Sequence, residues 1–185
     1  MDDLGEMINM RKNGILLGIF LAMLAAGPIP SEAQLASPTA RAGCKFSDGK
    51  TIMVNYSSPR MRGRKIFGDL VPFGEVWRAG ADDATSFVPN VDLIVAGKNV
   101  PSGKYTMFTL PTQTKWILII SEQTGEWGIP YPGEKFDLAR MEMKVSRLAS
   151  PLENFTISFD QAGTSCTMKL DWETTRAAVD IAEKK

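Results

Sequence analysis

Short runs of alternating apolar and polar residues, each closed by turn formers, recur from residue 44 to the C-terminus and predict antiparallel β-sheet. That region contains no long amphipathic helix pattern. The runs are 44–47, 50–56, 85–88, 91–96, 105–110, 115–121, 141–148, 154–160, 164–172 and 176–181, about ten short strands. Asp48-Gly49, between the first two, is a two-residue hairpin signal, because a type I′ turn needs positive φ at both positions. Further turns are supplied by Gly97-Lys98-Asn99, Pro101-Ser102-Gly103, Thr112-Gln113-Thr114 and Gln161-Ala162-Gly163.

Residues two apart on a strand share a face, so Phe155, Ile157 and Phe159 form one inward set and Met141, Met143 and Val145 another. The run 115–121 is apolar on both faces, with Trp116, Leu118 and Ile120 alternating with Ile117 and Ile119, which places it centrally. The fold class predicted is all-β: an antiparallel β-sandwich, or a small barrel-like sandwich, whose two inner faces share one core. The segment 56–85 breaks the strand pattern while keeping apolar anchors, and reads as one long ordered loop.

The N-terminal third is patterned differently. Arg11 and Lys12 precede an apolar run of 13 residues, 14–26, followed by Gly27, Pro28, Pro30 and a small-x-small sequence at Ser31-Glu32-Ala33. The run is shorter than the roughly 20 residues of a spanning helix. We read residues 1–33 as a cleaved signal peptide and 34–185 as a single β-sandwich domain, exported to the periplasm or secreted, with no stable membrane span after cleavage. The whole chain has 21 Lys and Arg against 21 Asp and Glu. Removing two of the former and four of the latter with residues 1–33 leaves 19 against 17, a net charge of +2. That balance points to neither nucleic acid nor an anionic membrane surface as a partner.

Two cysteines, Cys44 and Cys166, lie near the two ends of the exported part. An oxidising compartment lets such a pair form and keep a bond, so a Cys44–Cys166 disulfide is expected, with two buried free thiols as the alternative; lipidation of Cys44 after Ala42-Gly43 is a third reading, opposed by Arg41 and the distance from the apolar run. The chain has no histidine, which removes the commonest general base and metal ligand. Ser-His-Asp chemistry, Cys-His chemistry and ordinary zinc hydrolysis are thereby excluded. The exported part has no phosphate-cradling glycine motif, and no metal or cofactor is expected.

The chemistry that remains is concentrated in the loop. It carries Arg60, Arg62, Arg64, Lys65, Glu75, Arg78, Asp82 and Asp83 among Phe67, Phe73 and Trp77. In an extended segment Arg60, Arg62 and Arg64 would share one side, a comb suited to carboxylate, sulfate or phosphate oxygens. The same charges could instead pair among themselves, Glu75, Asp82 and Asp83 with Arg60, Arg64 and Arg78, as a clamp. Trp77 either caps the core or stacks on a ring, and Trp127 and Tyr131 lie in a second turn-rich segment, 125–133.

Several runs in this chain, Tyr56-Ser57-Ser58-Pro59-Arg60, Arg62-Gly63-Arg64-Lys65-Ile66-Phe67-Gly68 and Leu70-Val71-Pro72-Phe73-Gly74-Glu75-Val76-Trp77-Arg78, resemble an exported bacterial family known as domain of unknown function 2911. The resemblance continues through Val100-Pro101-Ser102-Gly103-Lys104-Tyr105-Thr106 and Gly125-Glu126-Trp127-Gly128 and covers essentially all of the exported part. It implies a β-rich extracytoplasmic domain and brings no activity, cofactor or catalytic residue. One departure is Asp82-Asp83, where the family pattern leads to an Asn-Glu pair.

The function expected from these residues is binding of a small anionic or carbohydrate ligand. The groups expected to carry it are Tyr56, Arg60, Arg64, Glu75, Trp77, Arg78, Asp83 and Trp127, none of them catalytic. Two alternatives stand beside it: a structural or interaction protein of the envelope, and a carboxylate-dependent hydrolase using Glu75 with Glu126 or Asp83.

Overall fold

The structure, a computed structural model, describes residues 37–185. The expected signal peptide, residues 1–33, lies outside the described residues. Nine strands follow one another: β1 Thr39–Lys45, β2 Thr51–Ser57, β3 Ser86–Pro89, β4 Leu93–Val95, β5 Lys98–Val100, β6 Tyr105–Pro111, β7 Trp116–Ser121, β8 Asp137–Ala162 and β9 Ser165–Glu183. Glu134–Phe136 makes a single 3-10 turn. All pairings are antiparallel, in the order β1-β2-β3-β6-β7-β8-β9-β4-β5, an open sheet that folds over into a sandwich-like arrangement.

Strand β8 makes the fold possible. Its first residues pair with β7, from Trp116↔Met143 to Ser121↔Asp137. Its remainder pairs with β9, from Lys144↔Ala178 to Ala162↔Ser165. One 26-residue strand therefore belongs to both layers. The pattern of the sequence divides it at Ala149–Glu153, where Pro151 cannot donate to a ladder. The structure accommodates those residues as a bulge: between Arg147↔Thr175 and Thr156↔Asp171, β8 advances nine residues while β9 advances four.

Strand β9 bends at the same level, at Glu173, whose φ is +54°. Residues five apart on a regular strand stand roughly 17 Å apart on opposite faces. Yet Arg176 Nε and Nη2 donate to the two Asp171 oxygens at 2.8 and 2.6 Å. The bend brings them together, and the bidentate ion pair spans it.

These two merged strands account for the difference from the ten runs in the sequence. A third difference adds one strand: 91–96 shortens to β4, and Lys98–Val100, read as turn and linker, pairs with it as β5. The Asp48-Gly49 hairpin exists, but Phe46 N donates to Lys50 O at 2.8 Å and Gly49 N to Phe46 O at 3.0 Å. Of the two turn residues only Gly49 has positive φ, +91°, as in a three-residue loop ending in a glycine bulge.

The core lies between the layers and contains Phe46, Ile52, Phe87, Met107, Trp116, Leu118, Phe155, Met168, Leu170 and Trp172, all essentially inaccessible. β7 is central, between β6 and β8. Its second apolar face is real: Ile119 is buried, as is Phe108 on β6, whose ring meets Tyr131 at 5.2 Å in an edge contact. Segment 122–136 covers this back face, with Glu122 N donating to Phe136 O at 2.8 Å. A Cys44–Cys166 disulfide joins β1 to β9, its Cα atoms 6.5 Å apart. Ser47 N donates to Gly163 O at 3.0 Å beside it, so the first strand is fixed to the last hairpin.

Candidate functional site

The segment between β2 and β3 is held by backbone hydrogen bonds at both ends and by one indole in the middle. At its start the chain lies along the β8 bulge. Phe155 N donates to Pro59 O at 2.9 Å and Met61 N to Glu153 O at 2.8 Å. The Glu153 carboxylate accepts Arg62 N at 2.8 Å, and its carbonyl also accepts Trp172 Nε1 at 3.1 Å. The chain then turns through Arg62 and Gly63, both at positive φ, +49° and +71°. The three arginines are therefore not the extended comb that alternation suggests. Arg64 instead folds back, donating from Nε to Met61 O at 3.0 Å and from Nη2 to Arg60 O at 2.8 Å.

Further along, Trp77 exchanges backbone hydrogen bonds with Thr109 at 2.7 and 2.8 Å, borrowing the end of β6. Its half-buried ring stacks on Trp172 at 5.9 Å and meets Phe155 at 4.9 Å, Phe67 at 6.3 Å and Trp116 at 6.5 Å edge-on. The indole N–H donates to Gly80 O at 3.0 Å. This aromatic packing, together with the backbone pairing, gives the loop one conformation.

Around that indole opens a cavity of about 440 Å³ lined by Arg60, Arg62, Arg64, Arg78, Trp77 and Trp172, with Leu70, Val71 and Ile129 among its apolar walls. Its size suits a small molecule. No Asp or Glu is among its lining residues. Among the described residues none of these four arginines forms an ion pair, so the clamp of Glu75, Asp82 and Asp83 with the arginines is not what holds the loop. Arg60 Nε is buried without a hydrogen-bond partner. Such an orphaned donor is what an incoming acceptor would satisfy.

Arg78 forms the border between the two aromatic segments. Its Nη1 donates to Trp127 O at 3.0 Å, and its guanidinium lies 5.2 Å from the Trp127 ring centroid. Burial lowers its pKa from the usual arginine value, an effect opposed at a distance by Asp82 and Asp83. The contact needs Gly128: a Cβ there would lie 2.9 Å from Ala84 Cβ and 3.1 Å from Arg78 Cβ, and its φ is +81°.

Of the residues singled out in the sequence, Arg60, Arg64, Trp77 and Arg78 line this cavity. Tyr56 is buried, its ring edge-on to Phe155 at 5.7 Å and its hydroxyl accepting Ile157 N–H at 3.0 Å. Glu75 is exposed and lines no part of the cavity. Asp83 and Trp127 lie in a separate groove of about 770 Å³ across β2, β3 and β6, with Glu126, Tyr105 and Lys104. Tyr131 faces away, its hydroxyl on the Asp137 carboxylate at 2.5 Å. Burial, and then that carboxylate, push the Tyr131 pKa well up. The cavity also includes Leu70, Val71, Ile129 and Trp172, which sequence reasoning did not assign. Nothing in the local pattern marks Trp172, a strand residue, as the floor of a site formed 100 positions earlier.

Among the described residues, no group of three or more His, Cys, Asp or Glu is placed to hold a metal ion. No helix among them is long and apolar enough to cross a membrane.

These features define an all-β protein with an arginine-lined cavity between an ordered loop and its sandwich. Residues 37–181 match the family model described as "Protein of unknown function (DUF2911)", and the chain belongs to that family. No curated protein and no solved structure matches the chain.

Proposed function

We propose that the protein is an exported binding module for a small anionic ligand, with the arginine cavity as its site. One observation carries this reading: four arginines line one cavity that has no Asp or Glu in its lining. Arg60, whose Nε is buried without a partner, can donate to a carboxylate, sulfate or phosphate, while Arg64 and Arg78, partly engaged with backbone carbonyls, add positive charge; Trp77 and Trp172 offer a face to a ring, so sugar acids belong to the class. The disulfide fits a periplasmic or secreted location.

The test is a thermal-shift screen of the 34–185 unit, which contains every core residue described above. Inorganic phosphate, sulfate, sugar acids and neutral sugars are the probes. A ligand at a hundredfold over its dissociation constant adds about 2.7 kcal/mol. At about 2–4 °C per kcal/mol for a domain of this size, that is a rise of roughly 5–10 °C. Anions should give it, neutral sugars should not, and Arg60→Gln with Arg78→Gln should abolish it. No anion-dependent shift, or a shift indifferent to those substitutions, overturns the reading.

A further inference from the structure

Only four large apolar side chains among the described residues are exposed: Leu70 at 44%, Phe73 at 38%, Trp127 at 55% and Ile129 at 64%. All four belong to the two segments that flank the arginine cavity. Leu70 and Ile129 line it, Phe73 follows three residues after Leu70, and Trp127 is joined to its border through Arg78. Arg62, Arg64 and Lys65 are exposed beside them. Apolar exposure and a cluster of cations without ion-pair partners among the described residues therefore meet along these two segments, on a chain that is otherwise balanced in charge.

We propose that this rim docks on a bilayer surface and that the anion taken by the cavity is the phosphate of an acidic phospholipid head group, an inference that rests on the anion reading above. Leu70 and Ile129 expose apolar surface at a cavity lined by four arginines, with exposed Phe73 and Trp127 on the same two segments, and the cavity is small for a lipid's acyl chains. A bilayer meets that arrangement at its interface, where the head group enters the cavity and the tails stay in the membrane. Tryptophan and aliphatic side chains insert at the head-group level, while each nearby Lys or Arg adds about 1 kcal/mol on an anionic leaflet. The overall charge of +2 gives no such signal, because the effect is local and falls off within a Debye length.

The experiment is vesicle flotation of the 34–185 unit, with phosphatidylcholine alone and with phosphatidylglycerol mixed in, and inorganic phosphate as the soluble control. The expected result is flotation on the acidic vesicles only, competed by salt. The variant Phe73→Ser, at an exposed rim residue outside the cavity lining, should weaken it about tenfold, or 1.4 kcal/mol. The same variant should keep its thermal shift with phosphate, which also reports that it is folded. Phosphate binding without flotation overturns the membrane proposal and leaves the anion site standing. Neither effect overturns both. Equal flotation on neutral vesicles, or full flotation by Phe73→Ser, also overturns the proposal, and in the second case a protein partner becomes the reading for the rim.

Discussion

Replacing Trp77 by alanine tests what holds the loop. The indole touches Phe67, Trp116, Phe155 and Trp172 and donates one hydrogen bond to Gly80 O. Truncating a core tryptophan costs about 3–5 kcal/mol, and the lost hydrogen bond about 1 kcal/mol of that order again. Trp77 is only half buried and one face lines the cavity, so the lower end, about 3 kcal/mol, applies. For a domain of this size that is a fall in Tm of roughly 6–12 °C. Urea unfolding followed by far-ultraviolet circular dichroism is the suitable assay, since the substitution removes a fluorophore. Trp77→Phe should recover about half of the loss, because the ring packing returns without the N–H donor. Phosphate-dependent stabilisation should vanish in Trp77→Ala. A loss below about 1 kcal/mol would show that the backbone pairing with Thr109 holds the loop by itself and that the aromatic stack is not its anchor.

The other predictions concern the frame. Cys44 and Cys166 are 122 residues apart, so replacing both with alanine should cost up to about 5 kcal/mol in the chain-entropy model; an unchanged urea midpoint after reduction would contradict it. All three tyrosines of the chain, Tyr56, Tyr105 and Tyr131, have pKa values raised, chiefly by burial. A raised native pKa means stability that is full below the unfolded value near 10 and falls as pH rises through it towards the native values. The folded protein should therefore show less tyrosinate absorbance at pH 10 than the urea-unfolded chain, and equal absorbance would refute the burial. Gly128→Ala should destabilise by about 1–3 kcal/mol, from positive φ and contact with Ala84 and Arg78, and should weaken phosphate binding by displacing Arg78; wild-type behaviour in both would sink that account.

The strands with clean alternation, β2 and β3, were legible because one residue in two must face the core. The double apolar face of β7 also read correctly as a central position. Bends within strands were not legible. Pro151 and the stretch at Glu173-Thr174-Thr175 look like interruptions locally, and only pairing with a partner shows that the strand passes through them. The site was half legible. The arginines stand out because they are dense and unmatched in sequence, but whether they pair with Glu75, Asp82 and Asp83 depends on where a turn at Arg62 and Gly63 directs them. Trp172 and Ile129 reach the cavity through tertiary folding alone, with no local marker.

The last strand of the chain is an interior one. β9 lies between β8 and β4, and Leu93 pairs with Glu183 across 90 residues. During synthesis, the β4–β5 hairpin and the second half of β8 therefore have no ladder partner until β9 has emerged. The strands β1-β2-β3-β6-β7-β8 can pair before that, but the second layer is completed only by residues 165–183.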